Sequence, residues 1–230
     1  MSKVTYPLLL VNLKTYPQGT GKKALELAKI CEKVLKKTDV CIAVAVQAAD
    51  IRLISTEVDA PIFSQHIDPI TPGSNTGQIL IEAIKEAGAI GTLINHSEKK
   101  IKLASIAKIL ELTKENDLFS CVCASTAKIA GAIAALEPNC CAIEPPELIG
   151  SGISVSTAKP EIITETVEIM KKIHSEVVPL CGAGITNSGD VRKALELGTK
   201  GILVASGVVK AANPEKILEE MANVSRDFLD

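Results

Sequence analysis

Glu144 ends an apolar run, CCAIE (140–144), and two prolines follow it at once. His96 ends another, AIGTLINH (89–96), while Asn12 and Lys14 close the first run, which begins PLLLVNL at residue 7. A carboxylate, an imidazole, an amide and an ammonium can take up and return a proton and offset a developing negative charge. Each residue alone has an ordinary reading. Lys14 is a solvated lysine, His96 a cap or surface residue, and Glu144 a helix-start carboxylate or half of a salt bridge. Their interest lies in recurring at the same place, the end of successive apolar runs.

Eight such runs punctuate the chain: PLLLVNL (7–13), DVCIAVAV (39–46), PIFSQHI (61–67), AIGTLINH (89–96), LFSCVCAS (118–125), CCAIE (140–144), VVPLCGAG (177–184) and GILVAS (201–206). They are continuous rather than alternating, which suits parallel strands buried on both faces. Amphipathic helices fall between them. Residues 21–37 place Leu25, Ala28, Cys31 and Leu35 on one side and lysines on the other. Residues 159–174 place Ile162, Ile163, Thr166, Ile169, Met170 and Ile173 on one stripe. Asn213 and Pro214 give an N-cap and a first-turn proline, and SGDVRKALELG predicts a helix starting after Ser188 and stopping at Gly198.

Eight strand–helix units in 230 residues leave about 29 residues each, which fits a (β/α)8 barrel at its compact end. No linker, charge block or low-complexity stretch divides the chain, so residues 1–230 read as a single domain. The structural alternative is an open doubly wound sheet. A nucleotide-binding version of that fold usually shows GxGxxG after its first strand, where this chain has NLKTYPQGTGKK.

Composition narrows the function. Hydrophobic residues make up 47% and the formal charge is −2, so neither disorder nor nucleic-acid binding is favoured. Aromatics are only 2%, which leaves little for stacking on bases or sugars. The seven cysteines are odd in number and include no CxxC pair, which reads as core thiols in a reducing compartment. Cys121 and Cys123 share a strand face with no histidine nearby to complete a zinc site. No run approaches the roughly 20 apolar residues of a membrane span, so a cytoplasmic protein without a membrane or nucleic-acid partner is expected.

A barrel builds its active site at the C-terminal ends of its strands. Those ends carry, in order, Asn12 and Lys14, Gln65, Asn95 and His96, Ser125, Glu144, Gly182 to Gly184, and Ala205 to Gly207. CGAGI (181–185) and VASGVV (204–209) fall on the seventh and eighth strands, where barrels often cradle a phosphate on backbone N–H groups. Two tight turns needing small residues is the plainer reading of the same stretches.

VNLKTY, INHSEKK, EPPELIGSGISV, CGAGIT and LVASGVV occur in this order, and together they resemble the triosephosphate isomerase family, in its short archaeal type, across essentially the whole chain. The resemblance implies interconversion of dihydroxyacetone phosphate and D-glyceraldehyde 3-phosphate through an enediolate, in glycolysis and gluconeogenesis, with no cofactor and no metal. It implies that Glu144 shuttles the carbon-bound proton and that His96 polarises the carbonyl and moves protons between oxygens. Lys14 would offset negative charge, Asn12 would hold the substrate, and Glu98 would support the lysine. Ile149 and Gly150 would lie on a mobile lid, and Gly184, Ala205 and Ser206 would bind phosphate through their amides.

The chemistry asks for the same residue types. Proton abstraction beside a carbonyl needs a stronger base than a free glutamate, whose pKa is roughly 4.3, and burial of a carboxylate acts in that direction. A histidine at a helix N-terminus is biased toward neutral imidazole, a pattern for which this family is itself the standard example. Pro145 and Pro146 restrict the backbone beside Glu144, so the segment to Val155 is expected to close as a unit, with Leu148 and Ile149 as apolar cover. Closure would exclude water and keep the enediolate from losing its phosphate.

Departures from longer family members are specific. Pro146 and Glu147 stand where those carry valine and tryptophan, and Cys181 to Ile185 stand where they carry Tyr-Gly-Gly-Ser-Val, so the hydroxyls that latch a closed lid are missing. SNTGQI (74–79) resembles the projecting third loop that docks into a neighbouring subunit, with Gln78 in place of the usual glutamate. A homo-oligomer is therefore expected, a tetramer ahead of a dimer. His66 and His174 match no catalytic position and read as structural or surface residues. Two competing functions remain. A Schiff-base aldolase would need a lysine deep on strand six, which CCAIE does not offer, and a non-catalytic metabolite-binding barrel would have lost the base or the electrophile.

Overall fold

Apolar runs without alternation need cover on both faces, and the chain provides it by rolling the sheet into a tube. The structure, a computed structural model, describes residues 4–148 and 154–229. The strands are β1 (Leu8–Asn12), β2 (Cys41–Val46), β3 (Ile62–Ser64), β4 (Gly91–Ile94), β5 (Phe119–Ala124), β6 (Cys140–Ile143), β7 (Val178–Cys181) and β8 (Gly201–Val204). Each pairs in parallel with the next, and β8 returns to β1, closing an eight-stranded barrel.

Alternate residues sort to the two sides. Leu8, Leu10, Ala43, Ala45, Phe63, Leu93, Cys121, Cys123, Cys140, Ala142, Leu180 and Leu203 pack together in the lumen. Their neighbours, including Leu9, Val11, Ile42, Val44, Ile94, Val122, Ile143, Ile202 and Val204, form the layer between strands and helices. The lumen is narrow, so alanines and cysteines share it about equally with leucines. Phe63 is the large exception. A Cβ on Gly91 would lie 2.6 Å from the Phe63 ring, so the glycine that opens β4 makes the room this ring occupies. All seven thiols are free and buried.

The helices among the described residues are α1 (Lys22–Thr38), α2 (Ile51–Ser55), α3 (Ile81–Glu86), α4 (Leu103–Glu115) and α5 (Ala127–Ala134). They continue with α6 (Val155–Ala158), α7 (Pro160–Ile173), α8 (Ser188–Glu196), α9 (Ser206–Val209) and α10 (Pro214–Ser225). The caps follow the chemistry of the first turn: Asn213 accepts from the Lys216 amide, and Pro214 sits where an unpaired N–H costs nothing. For α8 the cap is one residue earlier than expected. Asn187, not Ser188, accepts the Asp190 amide, because an Asn side chain reaches the third amide as readily as Ser does. Gly198, with φ +96°, follows α8 as expected.

Two helix faces are rotated from the expected stripes. In α1 the buried side chains are Ala24, Leu27, Ala28, Cys31 and Val34, with Leu25 and Leu35 only partly covered. In α7 the buried line is Ile163, Thr166 and Met170, and Ile173 is 48% exposed. No helix among the described residues is long and apolar enough to cross a membrane.

Candidate active site

The amide and the ammonium are placed by a strained turn. Lys14 has φ +48°, a left-handed conformation that costs a lysine roughly 1–2 kcal/mol. Two bonds hold it there: the Lys14 amide donates to Asn12 Oδ1 at 2.9 Å, and Gln65 Nε2 donates to the Lys14 carbonyl at 2.9 Å. At roughly 1 kcal/mol each, two such bonds balance the strain. Asn12 is buried at the end of β1. The Lys14 side chain is 11% exposed, and its ammonium meets Glu98 Oε1 at 2.8 Å.

Across the mouth the same device recurs after β4. Asn95 has φ +60°, held by its Nδ2 donating to the Cys123 carbonyl at 3.0 Å and its Oδ1 accepting from the Ile101 amide at 3.0 Å. This turn delivers His96, which is buried. The Glu98 amide donates to His96 Nδ1 at 3.2 Å. A ring nitrogen that accepts an amide proton carries none of its own, so this contact fits neutral imidazole with its proton on Nε2. The expectation of a helix N-terminus at His96 needs correction. α4 starts only at Leu103, and the amide that selects the tautomer belongs to a turn closed by the Lys99 amide on the His96 carbonyl at 2.8 Å.

His96 Nε2 points at Glu144, whose Oε1 lies 3.5 Å away. Glu144 is 4% exposed, and its amide donates to the Ala124 carbonyl at 2.8 Å, which fixes the backbone at the end of β6. Its Oε2 is buried and makes no hydrogen bond. Leaving such an atom unmatched costs about 1–3 kcal/mol, more when charged, and such groups gather where chemistry is done. Gly182 makes room for this side chain, since a Cβ there would sit 2.5 Å from Glu144 Cγ. Beside it, burial and then the Glu144 carboxylate hold the Cys123 thiol well above the ordinary thiol range.

One cleft is lined by Asn12, Lys14, Tyr16, His96, Glu144, Gly182, Gly184, Ile185, Thr186, Ala205 and Ser206. Asn12, Lys14, His96 and Glu144 therefore share a pocket with the two small-residue turns, while Glu98 stands outside its lining with its side chain more than half exposed, tied in through Lys14. Gly184 has φ +70° and leaves its turn without a side chain in the way. Gly207 lets the β8 turn approach the β7 turn, for a Cβ there would be 2.6 Å from the Ile185 carbonyl oxygen. Ile149 and Gly150 lie outside the described residues. Before them, Leu148 is buried and its amide donates to the Pro145 carbonyl at 3.0 Å.

Four features of the mouth carried no clear signal in the chain. Cys123 reads as one more core thiol, and Gly182 as part of a phosphate turn rather than as space for the carboxylate. Tyr16 lines the cleft, with Lys210 Nζ 4.1 Å above its ring, a pairing across nearly the whole sequence. Thr186 lines it from the turn just ahead of α8. Away from the cleft floor, His66 Nε2 lies 3.1 Å from Asp68 Oδ1. Burial keeps His66 below the usual histidine range despite that carboxylate. His174 caps α7, 3.7 Å from Glu137.

A model of the triosephosphate isomerase family matches residues 7–221. The triosephosphate isomerase of Methanothermus fervidus is 52% identical over 215 residues, which is 94% of this chain and 97% of that protein. That of Methanosarcina acetivorans is 51% identical over 94% of this chain and 97% of its own length. That of Methanocaldococcus jannaschii is 49% identical over 93% and 98%.

Proposed function

This chain belongs to the triosephosphate isomerase family, and from that premise we propose how its residues carry the interconversion of dihydroxyacetone phosphate and D-glyceraldehyde 3-phosphate in glycolysis and gluconeogenesis. Glu144 removes a proton from carbon 1 of the ketose while His96 donates its Nε2 proton in a hydrogen bond to the carbonyl oxygen at carbon 2. The electron pair moves into an enediolate, whose charge the Lys14 ammonium offsets and whose position the Asn12 amide fixes. A proton passes between the two oxygens by way of His96, and Glu144 returns its proton to carbon 2 as the aldehyde forms at carbon 1. The base ends unchanged. Glu98 acts on both partners, as the anion beside Lys14 and as the amide donor to His96.

The single observation that carries this reading is the buried Glu144 carboxylate, with one oxygen unmatched and the other 3.5 Å from an imidazole nitrogen. A base kept dry and unsatisfied is ready for a carbon acid, which offers it no hydrogen bond beforehand. The phosphate sits against the amides of Gly184, Ala205 and Ser206, with Ile149 and Gly150 contributing from the loop after Glu144. Nothing in the steps calls for a metal or a cofactor. Conversion of glyceraldehyde 3-phosphate in a coupled assay, after exhaustive chelation, tests this. Full turnover is expected, and no turnover without added metal would overturn it.

We also propose that the whole chain acts as one barrel domain in the cytoplasm, assembled as a tetramer rather than a dimer. The loop at residues 71–78 is largely exposed, and Asp68 braces its base, accepting the Ile79 amide at 2.7 Å and pairing with His66. That suits a projecting loop for a neighbouring subunit. Leu103 and Ile129, 55% and 42% exposed, are apolar side chains that a second pair of subunits would cover. Sedimentation equilibrium giving a monomer would reject the assembly.

A further inference from the structure

Asp190 lies in the first turn of α8, is 9% exposed, and joins two segments that flank the cleft. On one side its Oδ2 accepts from the Thr186 amide at 2.9 Å, from Thr186 Oγ1 at 3.0 Å and from Asn187 Nδ2 at 3.0 Å. Thr186 directly follows the Gly184–Ile185 turn. On the other side its Oδ1 accepts from Thr157 Oγ1 at 3.4 Å, and its backbone carbonyl accepts from Ser156 Oγ at 3.0 Å. Ser156 is fully buried and shares a 2.7 Å contact with Ser154 Oγ, while the Val155 amide donates to the Ala183 carbonyl at 3.1 Å.

A helix-start carboxylate that merely caps α8 would account for Thr186 and Asn187. It would not account for the Thr157 hydroxyl that reaches Oδ1 from α6, a side-chain link that adds to the backbone ties made by Ser156 to the Asp190 carbonyl and by Val155 to Ala183. The chain lacks the tyrosine and serine hydroxyls that longer family members carry in this turn, and the Asp190 cluster occupies the neighbouring position. We propose that Asp190 is a positioning residue: it locks the turn at 184–186 to the segment Ser154–Ala158 and so holds the phosphate-binding amides in place, without touching the reacting carbons. The proposal rests on reading the mouth as a triose phosphate site.

The test compares a substrate that uses those amides with one that does not. Full-length Asp190→Ala, Asp190→Asn and Ser156→Ala are assayed with glyceraldehyde 3-phosphate, and with D-glyceraldehyde by carbon-2 proton exchange in deuterated water, followed by NMR. Inhibition by inorganic phosphate reports on the turn directly. A displacement near 1 Å costs on the order of 10²-fold in rate, so Asp190→Ala is expected to lose about 10- to 100-fold in kcat/KM on the phosphorylated substrate. Phosphate inhibition weakens in parallel, while exchange on glyceraldehyde stays within about twofold.

Asp190→Asn keeps one oxygen for the Thr186 amide and can donate to Thr157, so it recovers most of that loss. Ser156→Ala removes two bonds, to the Asp190 carbonyl and to Ser154 Oγ, and is expected to fall by about 5- to 25-fold on the phosphorylated substrate alone. Equal losses on both substrates, or a lower melting temperature with unchanged kinetics, would overturn the proposal. If Asp190→Ala does not fold, the other two variants decide it by the same comparison. An inactive wild-type protein would instead refute the isomerase reading, so the two failures are distinguishable.

Discussion

Gly182→Ala isolates the position of the base from its chemistry, because it adds one methyl group and changes no ionisable residue. The new Cβ would stand 2.5 Å from Glu144 Cγ, 3.2 Å from Cδ and 3.3 Å from Oε1. Ordinary carbon–carbon contact begins near 3.5 Å, so the Glu144 side chain must retreat by about 1 Å. It cannot do so into solvent, because Glu144 is 4% exposed and backed by the buried Cys123. Overpacking of this kind costs roughly 1–3 kcal/mol of stability, while a 1 Å error at the reacting atoms costs on the order of 10²-fold in rate. The expected result is a folded protein with kcat lowered about 100-fold and inorganic phosphate inhibition little changed. Circular dichroism and the coupled assay measure both. A kcat within twofold of wild type would show that the 3.5 Å relation between Glu144 and His96 does not set the rate, and the reasoning would fail.

Other expectations follow from charge and burial. Lys14→Met removes the ammonium that faces Glu98 and the enediolate, and kcat/KM should drop by about 10²- to 10³-fold; a change under threefold would contradict its role. The seven buried thiols should resist a bulky disulfide reagent in the native protein and all react in denaturant, and rapid native labelling would refute their placement. Burial pushes the Cys31 and Cys181 thiols up to about 12, so they keep their protons when the unfolded chain, near 8.5, has lost them. Stability is then complete below pH 8.5 and falls above it by about 1.4 kcal/mol per pH unit for each thiol, which melting curves between pH 8 and 10 would detect. At the acid end the slope is reversed for His66. Its lowered pKa means the unfolded chain binds a proton first, so this contribution declines as pH falls below about 6.5.

The barrel was legible because parallel strands buried on both faces must be apolar at every position, and eight such runs stand out in this chain. The same logic put Asn12, His96 and Glu144 at strand ends. Strand lengths were less legible: 61–67 reads as one strand, yet only Ile62–Ser64 pairs, since the chain turns over the rim at His66, where the Ser64 hydroxyl takes both the amide and the carbonyl. The helix stripes in α1 and α7 are rotated because partly covered residues such as Leu25 and Ile162 satisfy the same 3.6-residue period as the buried ones. Long-range spacing was out of reach. That Gly182 faces Glu144 and Gly91 faces Phe63 depends on register between strands, and that Lys14 and Asn95 take left-handed backbone depends on Gln65, Cys123 and Ile101 holding them there.

The most direct measurement is the turnover of Glu144→Gln, which keeps the size and burial of the side chain and removes only its capacity to accept a proton from carbon. Loss of kcat/KM on the order of 10³-fold or more, with the fold intact and inorganic phosphate still bound, is the expected result. Turnover within tenfold of wild type would contradict the assignment of Glu144 as the base.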